Sequence, residues 1–223
     1  MTEPVELLRQ GRTDELWQRY LGYLDLTLDE FMEIQKRKVL EHVTWLSRSE
    51  LGRKIIGPRM PSTVEEFMEF VPLTVYGDYA PFLLDRKSDA LPEEPIFWMC
   101  TSGRGGEYDK KWSPVFREAW EDTAQKHGVG NLALSSARTK GDFRIEVGDK
   151  LPYTWAPPPY SLGTMAQAIA AEVPIVVMPP EEEAMKMSFE ERIEAALRMA
   201  FREGIDYFYG LSSVLVKIGE RFA

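Results

Sequence analysis

The sequence predicts an α/β fold. A helical N-terminal preface, residues 1–92, leads into residues 93–223, a mixed and partly parallel sheet flanked by helices, the two parts forming one structural unit. Three observations carry this. Apolar residues before residue 92 recur at helical spacing. After it, short apolar runs alternate with helical stretches long enough to serve as βαβ crossovers. One of those runs, residues 174–178, is apolar throughout apart from its opening proline, as central parallel strands are.

Composition bounds the classes. The 223 residues suffice for one large domain or two small ones with a substantial core. Hydrophobic content of 44% and charged content of 28% are those of a soluble globular chain. A net charge of -9 with no basic stripe argues against nucleic acid as partner. The single cysteine, Cys100, excludes an internal disulfide and fits a reducing, cytoplasmic setting; at the end of an apolar run it reads as a packed side chain. His42 and His127 are the only histidines, too few for a structural zinc site without a cysteine cluster. Residues 1–4 do not read as a signal peptide, and no apolar stretch reaches membrane-spanning length.

In chain order, Thr13 or Asp14 can cap a short helix running to Tyr23. A longer helix over residues 27–47 carries Leu28, Phe31, Met32, Val39, Val43 and Leu46 as a core-facing stripe, with His42 beside it. Ser62-x-x-Glu65 is a capping box for a helix to Phe70. Pro72 ends that helix and Thr74 can cap the next, with Asp78 favourable in its first turn. Residues 96–100 are a strand. Ser113-Pro114 reads as cap and first residue of a helix bearing Phe116, Ala119, Trp120 and Thr123 and stopping at Gly128. Residues 132–137 and 153–156 are strand candidates, and residues 161–171 are helical. Glu181 to Glu183 read as a solvated loop. Ser188-x-x-Glu191 is a capping box for a helix with Ile193, Ala196, Leu197, Ala200 and Phe201 inward and Gly204 just beyond its end. Residues 205–209 are a strand, and Ser212 or Ser213 caps a last helix to Glu220.

The chemistry concentrates in residues 96–111. The strand turns at once into Thr101, Ser102, Gly103, Arg104, Gly105 and Gly106, and Lys110 and Lys111 follow. Glycines let consecutive amides converge on an anion, hydroxyls add donors, and a lysine adds a positive charge. The same composition also makes an ordinary hairpin loop. It is neither a Walker loop nor a dinucleotide fingerprint. The short interval from Gly106 to Ser113 leaves room for a second strand, antiparallel to the first.

Residues 101–106 with Lys110 or Lys111 resemble the phosphate loop of adenylate-forming enzymes, the carboxylate ligases that make acyl-AMP from ATP. Val71-Pro72-Leu73-Thr74-Val75-Tyr76-Gly77-Asp78-Tyr79 resembles the run preceding that loop in the phenylacetate–coenzyme A ligase and auxin–amido synthetase branches. Residues 143–160, with Gly148-Asp149 and the 157–160 turn, and residues 204–215 are similar to later segments of the same family. Arg104 and Gly105 depart from the family's hydroxyl residues, and an extra residue before the lysines leaves open which occupies the family position.

The resemblance implies the N-terminal part of the adenylate-forming fold. It implies ATP and Mg²⁺ as cofactors and a small carboxylic acid as substrate, with Thr101, Ser102, the loop amides and Lys110 or Lys111 holding phosphates. Arg104 either strengthens that grip or lies on the surface. Tyr153, Trp155, Tyr160 and Met165 either line an acyl pocket or pack in the core. Family enzymes are about twice as long, so two readings stand. One is part of an ATP-dependent carboxylate ligase completed by a second polypeptide, or self-associating through an exposed apolar face. The other is a non-catalytic binding module for nucleotide, phosphate or acid.

Overall fold

The structure, a computed structural model, describes residues 3–101 and 107–222, without the side chains of residues 122–124, 221 and 222. In chain order its elements are α1 Glu3–Arg9, α2 Thr13–Leu21, α3 Leu28–Leu46, α4 Glu50–Ile56, α5 Val64–Phe70, α6 Tyr76–Leu83, β1 Phe97–Cys100 and β2 Trp112–Val115. There follow α7 Gln125–Ser136, β3 Lys150–Pro152, α8 Ser161–Glu172, β4 Val176–Met178, α9 Glu181–Ala184, α10 Phe189–Glu203 and α11 Ser212–Phe222. The fold is α/β. The mixed sheet is absent among the described residues: β1 and β2 form an antiparallel pair, and β3 and β4 a separate parallel pair. The chain divides into two units, Tyr23–Ala119 and a discontinuous one made of the chain up to Gly22 and from Trp120 onward.

In the Tyr23–Ala119 unit, α3 starts at a complete capping box. The Thr27 hydroxyl accepts the Glu30 N–H at 3.3 Å, and the Glu30 carboxylate accepts the Thr27 N–H at 2.8 Å. The expected core stripe of α3 is largely solvent-facing. Val43 is buried, but Leu28, Phe31 and Met32 are 74%, 38% and 44% exposed. The reason is the tight turn after Leu46: Ser49 caps α4 through the Gly52 N–H, and Gly52 lies against the Leu46 carbonyl, so packing gathers at the C-terminal end of α3. The unit's core joins Leu51 and Ile55 of α4, Phe82 and Leu83 of α6, Ala90 and Leu91, with Tyr76, Tyr79, Trp98 and Phe116 against it.

Two caps here sit one residue later than expected. Thr63, rather than Ser62, caps α5 by accepting the Glu66 N–H, and Glu66 takes both the N–H and the hydroxyl of Ser62. At α6 the Asp78 carboxylate accepts the Val75 N–H, while the Thr74 hydroxyl pairs with the Tyr79 phenol instead of capping.

In the discontinuous unit, α1 packs on α2, α2 on α7, and α7 on α8. Leu16, Tyr20, Leu21, Val129, Leu132, Ala133, Phe143, Ile145, Ile169 and Val173 form the core. In the Tyr23–Ala119 unit, Ser113 and Pro114 do not start a helix; both lie in β2, opposite Met99 and Trp98. A π-helical turn, Ala119–Ala124, leads into α7, and Gly128 lies inside that helix. A Cβ at Gly128 would come 2.5 Å from the Ile169 side chain, so this glycine serves close helix packing. The strand expected at 132–137 is largely the C-terminal half of α7: Val129, Leu132 and Ala133 are buried at helical spacing.

β3 pairs with β4 in the register Lys150↔Val176, Leu151↔Val177 and Pro152↔Met178, joined by α8. The strand expected at 153–156 therefore falls three residues earlier, though the Tyr153 N–H still reaches the Met178 carbonyl at 2.7 Å. Residues 205–209 run beside β3 without forming a strand. The Asp206 carboxylate takes the Lys150 N–H at 2.8 Å, a donor that a backbone carbonyl takes in a ladder. Residues 181–183 are the exposed first turn of α9 rather than a loop. Ser188 and Glu191 form the expected box, and Gly204 follows α10 with φ +76°. Phe201, expected inward, is 69% exposed. No described helix is long and apolar enough to cross a membrane.

Candidate functional site

β1 and β2 bracket the glycine segment. The ladder ends at Cys100↔Trp112, and one more backbone bond, the Thr101 N–H to the Lys111 carbonyl at 3.0 Å, carries the pairing to the loop mouth. The Lys111 N–H reaches back to the Thr101 hydroxyl at 3.4 Å. Ser102, Gly103, Arg104, Gly105 and Gly106 lie outside the described residues. Thr101 and Lys110 are exposed, and Lys111 is half-buried.

Tyr76 fixes the second strand. Its phenol accepts the Trp112 N–H at 2.8 Å and donates to the Trp112 carbonyl at 3.2 Å, satisfying the outward-facing polar groups of an edge strand. The Lys111 ammonium lies 5.5 Å from the centre of the Tyr76 ring, within cation–π range. Tyr108 meets that ring edge-on at 5.2 Å, and the Arg86 guanidinium lies over Trp112 at 4.8 Å. Thus the run at residues 71–79 and the lysine end of the loop, adjacent only in the fold, are in direct contact. Partial burial holds the Tyr76 phenol above its ordinary value. Cys100 is buried, and burial raises its thiol against the opposing influence of Lys110, so it stays an un-ionised packing group.

The four residues expected at an acyl pocket lie in the other unit and are not all together. Tyr153 and Trp155 are buried and stacked, ring centres 4.8 Å apart, within a cluster that includes Leu151, Ala166 and Ala184. Tyr209 meets Trp155 edge-on at 5.7 Å. Tyr160 is the residue before α8, and the Met165 sulfur faces Gly128 of α7. α8 contributes Leu162 and Ala166 to the cluster.

Sequence reasoning missed Arg192. Only 4% exposed, it lies with its guanidinium 5.4 Å from the Tyr153 ring centre and 5.6 Å from that of Phe189, and it donates to the Ala184 carbonyl at 3.3 Å. Burial draws its pKa below the usual arginine value, while Tyr153 opposes that. Burial first, then Glu181, push the Tyr153 phenol up to about 12. The available signal was helical phase: position 192 is one turn before Ala196, on the buried stripe of α10.

Among the described residues no group of three or more His, Cys, Asp or Glu side chains is placed to hold a metal ion. No protein-family model, curated protein or solved structure matches the chain.

Proposed function

We propose that the chain is the N-terminal portion of an ATP-dependent carboxylate ligase that activates a small organic acid as its acyl-adenylate, working in the cytoplasm with a complementary C-terminal half. The observation that carries this reading is the clamp of Tyr76 on Trp112 and Lys111. It joins the two stretches of the sequence that resemble this family, through a strand–loop–strand element. In this reading the loop amides, Thr101 and Ser102 hold the β- and γ-phosphates of ATP. Lys110 or Lys111 would offset their charge, and Mg²⁺ bound with the nucleotide would supply further charge neutralisation there. Catalysis at such a centre is positioning and charge neutralisation rather than covalent chemistry. The family resemblance assigns Tyr153 and Trp155, in the other unit, to the acid side.

The departures at Arg104 and Gly105 favour a second reading, a non-catalytic module that keeps the phosphate grip or the acid pocket without turnover. Calorimetry with Mg·ATP and with pyrophosphate tests the loop, on the native chain and on the triple variant Gly103→Val, Lys110→Ala, Lys111→Ala. Binding that disappears in the variant supports a working phosphate loop, and turnover then requires the complementary half. Binding indifferent to the variant, or none at all, sinks the ligase reading.

A further inference from the structure

Three side chains of one cluster, each more than nine-tenths buried, hold a hydrogen-bond donor that meets no partner: Arg192 Nε, Tyr153 Oη and Trp155 Nε1. Stacking of Tyr153 on Trp155 and of Arg192 on Tyr153 makes them neighbours. Guanidinium and indole donate only, so these two cannot satisfy each other. Buried polar groups are otherwise nearly always bonded. The Arg192 charge meets no carboxylate among the described residues: its side-chain hydrogen bond goes to a neutral carbonyl, and its other contacts are the Tyr153 and Phe189 rings. Glu181, the acid that acts on Tyr153, is engaged by the Gln167 amide at 3.0 Å. A buried guanidinium without an anion is costly. A water would serve a donor and leave the charge.

The surroundings say what kind of anion fits. Leu151, Ala166, Ala184, Tyr209 and Phe189 surround the donors with apolar and aromatic surface, and a single cation suits a single negative charge. We propose that Arg192, Tyr153 and Trp155 bind a small organic monocarboxylate with an apolar or aromatic body, its carboxylate on the Arg192 guanidinium. The ligand reaches the donors by parting the four-residue α9 from the cluster, where Ala184 is fully buried. The proposal deepens the acid side of the ligase reading. It rests on that reading only in taking Tyr153 and Trp155 as acid-facing, and it is independent of the glycine loop.

The test uses the full chain and sodium benzoate, with benzyl alcohol as the neutral analogue, in calorimetry and thermal melts. Benzoate is expected to bind and raise Tm, with benzyl alcohol about tenfold weaker or more, the factor a charge-assisted hydrogen bond supplies. Arg192→Met, close in length and uncharged, is expected to remain folded and lose benzoate binding by a similar factor. Equal affinity for the two probes overturns the proposal, as do absence of benzoate binding at millimolar concentration and undiminished binding by folded Arg192→Met. If that variant does not fold, Tyr153→Phe carries the test: a several-fold loss supports the site, and unchanged affinity overturns it. Mg·ATP titrated into the same samples separates the two readings. Benzoate binding without nucleotide binding sinks the ligase reading alone, and nucleotide binding without benzoate binding sinks this site alone.

Discussion

The phenol of Tyr20 in α2 donates a 2.6 Å hydrogen bond to the Glu172 carboxylate at the end of α8, across 152 positions of sequence. Both residues are buried, and Arg19 adds a longer contact to the same oxygen at 3.4 Å. This bond ties the N-terminal helices to the unit whose remainder begins at Trp120.

Tyr20→Phe leaves part of the Glu172 carboxylate's bonding unmet and should cost about 1–3 kcal/mol in denaturant unfolding. It should also change the alkaline limb. Burial, reinforced by Glu172, raises the Tyr20 pKa well above its ordinary 10.0. A raised pKa gives stability that is full below pH 10 and is lost as pH climbs toward the folded-state value. Tyr20→Phe should therefore flatten part of the stability loss above pH 10. An alkaline limb identical to that of the native chain would contradict the assignment.

Three cap carboxylates contribute to the acid limb, beside Asp142 and Glu203, whose pKa values are also lowered by hydrogen bonds. Main-chain donation from Thr27 lowers the Glu30 pKa, the Ser62 hydroxyl lowers that of Glu66, and main-chain donation from Ser188 lowers that of Glu191. A lowered pKa gives stability present above the ordinary 4.5 and lost as pH falls through the folded-state values. Replacing all three by Gln should make stability less dependent on pH below 4.5, read from urea midpoints across that range.

Two glycines, one in each unit, test close approach. A Cβ on Gly163 would come 2.6 Å from the Ala156 carbonyl oxygen and from backbone atoms of Pro157 and Pro158; one on Gly52 would come 1.7 Å from the Leu46 carbonyl oxygen. Backbone cannot step aside as a flexible side chain can. Gly163→Ala and Gly52→Ala should each destabilise by at least about 1–3 kcal/mol, the usual overpacking range. Gly219→Ala, with nothing within 4 Å, should be neutral or slightly stabilising, since alanine is the better helix former. Thermal melts of the three variants check the ranking.

Tyr76→Phe removes the group that serves both the N–H and the carbonyl of Trp112. About 1–3 kcal/mol should be lost in denaturant unfolding. If the hairpin positions the phosphate loop, Mg·ATP affinity should fall with it, although the ring under Lys111 remains. Unchanged stability would show that solvent replaces the phenol at this edge without cost.

The sequence by itself determined the local features. The Ser188–Glu191 box, Gly204 at the end of α10, and the strands at 97–100 and 176–178 rest on interactions over a few residues or on short apolar runs, and such patterns can be read directly. The second strand expected after Gly106 was equally legible: it pairs antiparallel with the first, and the pairing sets Thr101 beside Lys111. Tertiary structure alone decided which of two local patterns won and which faces were covered. Residues 132–137 have the composition of a strand, but packing of α7 on α2 and α8 holds most of them in a helix. Ser113-Pro114 has the chemistry of a helix start, but pairing with β1 makes it strand. The first half of the α3 stripe is exposed while Val43, near the turn into α4, is buried, and Arg192 is buried because Tyr153, Phe189 and Ala184 close around it. Burial depends on residues remote in sequence, so neither periodicity nor spacing within one segment reports it.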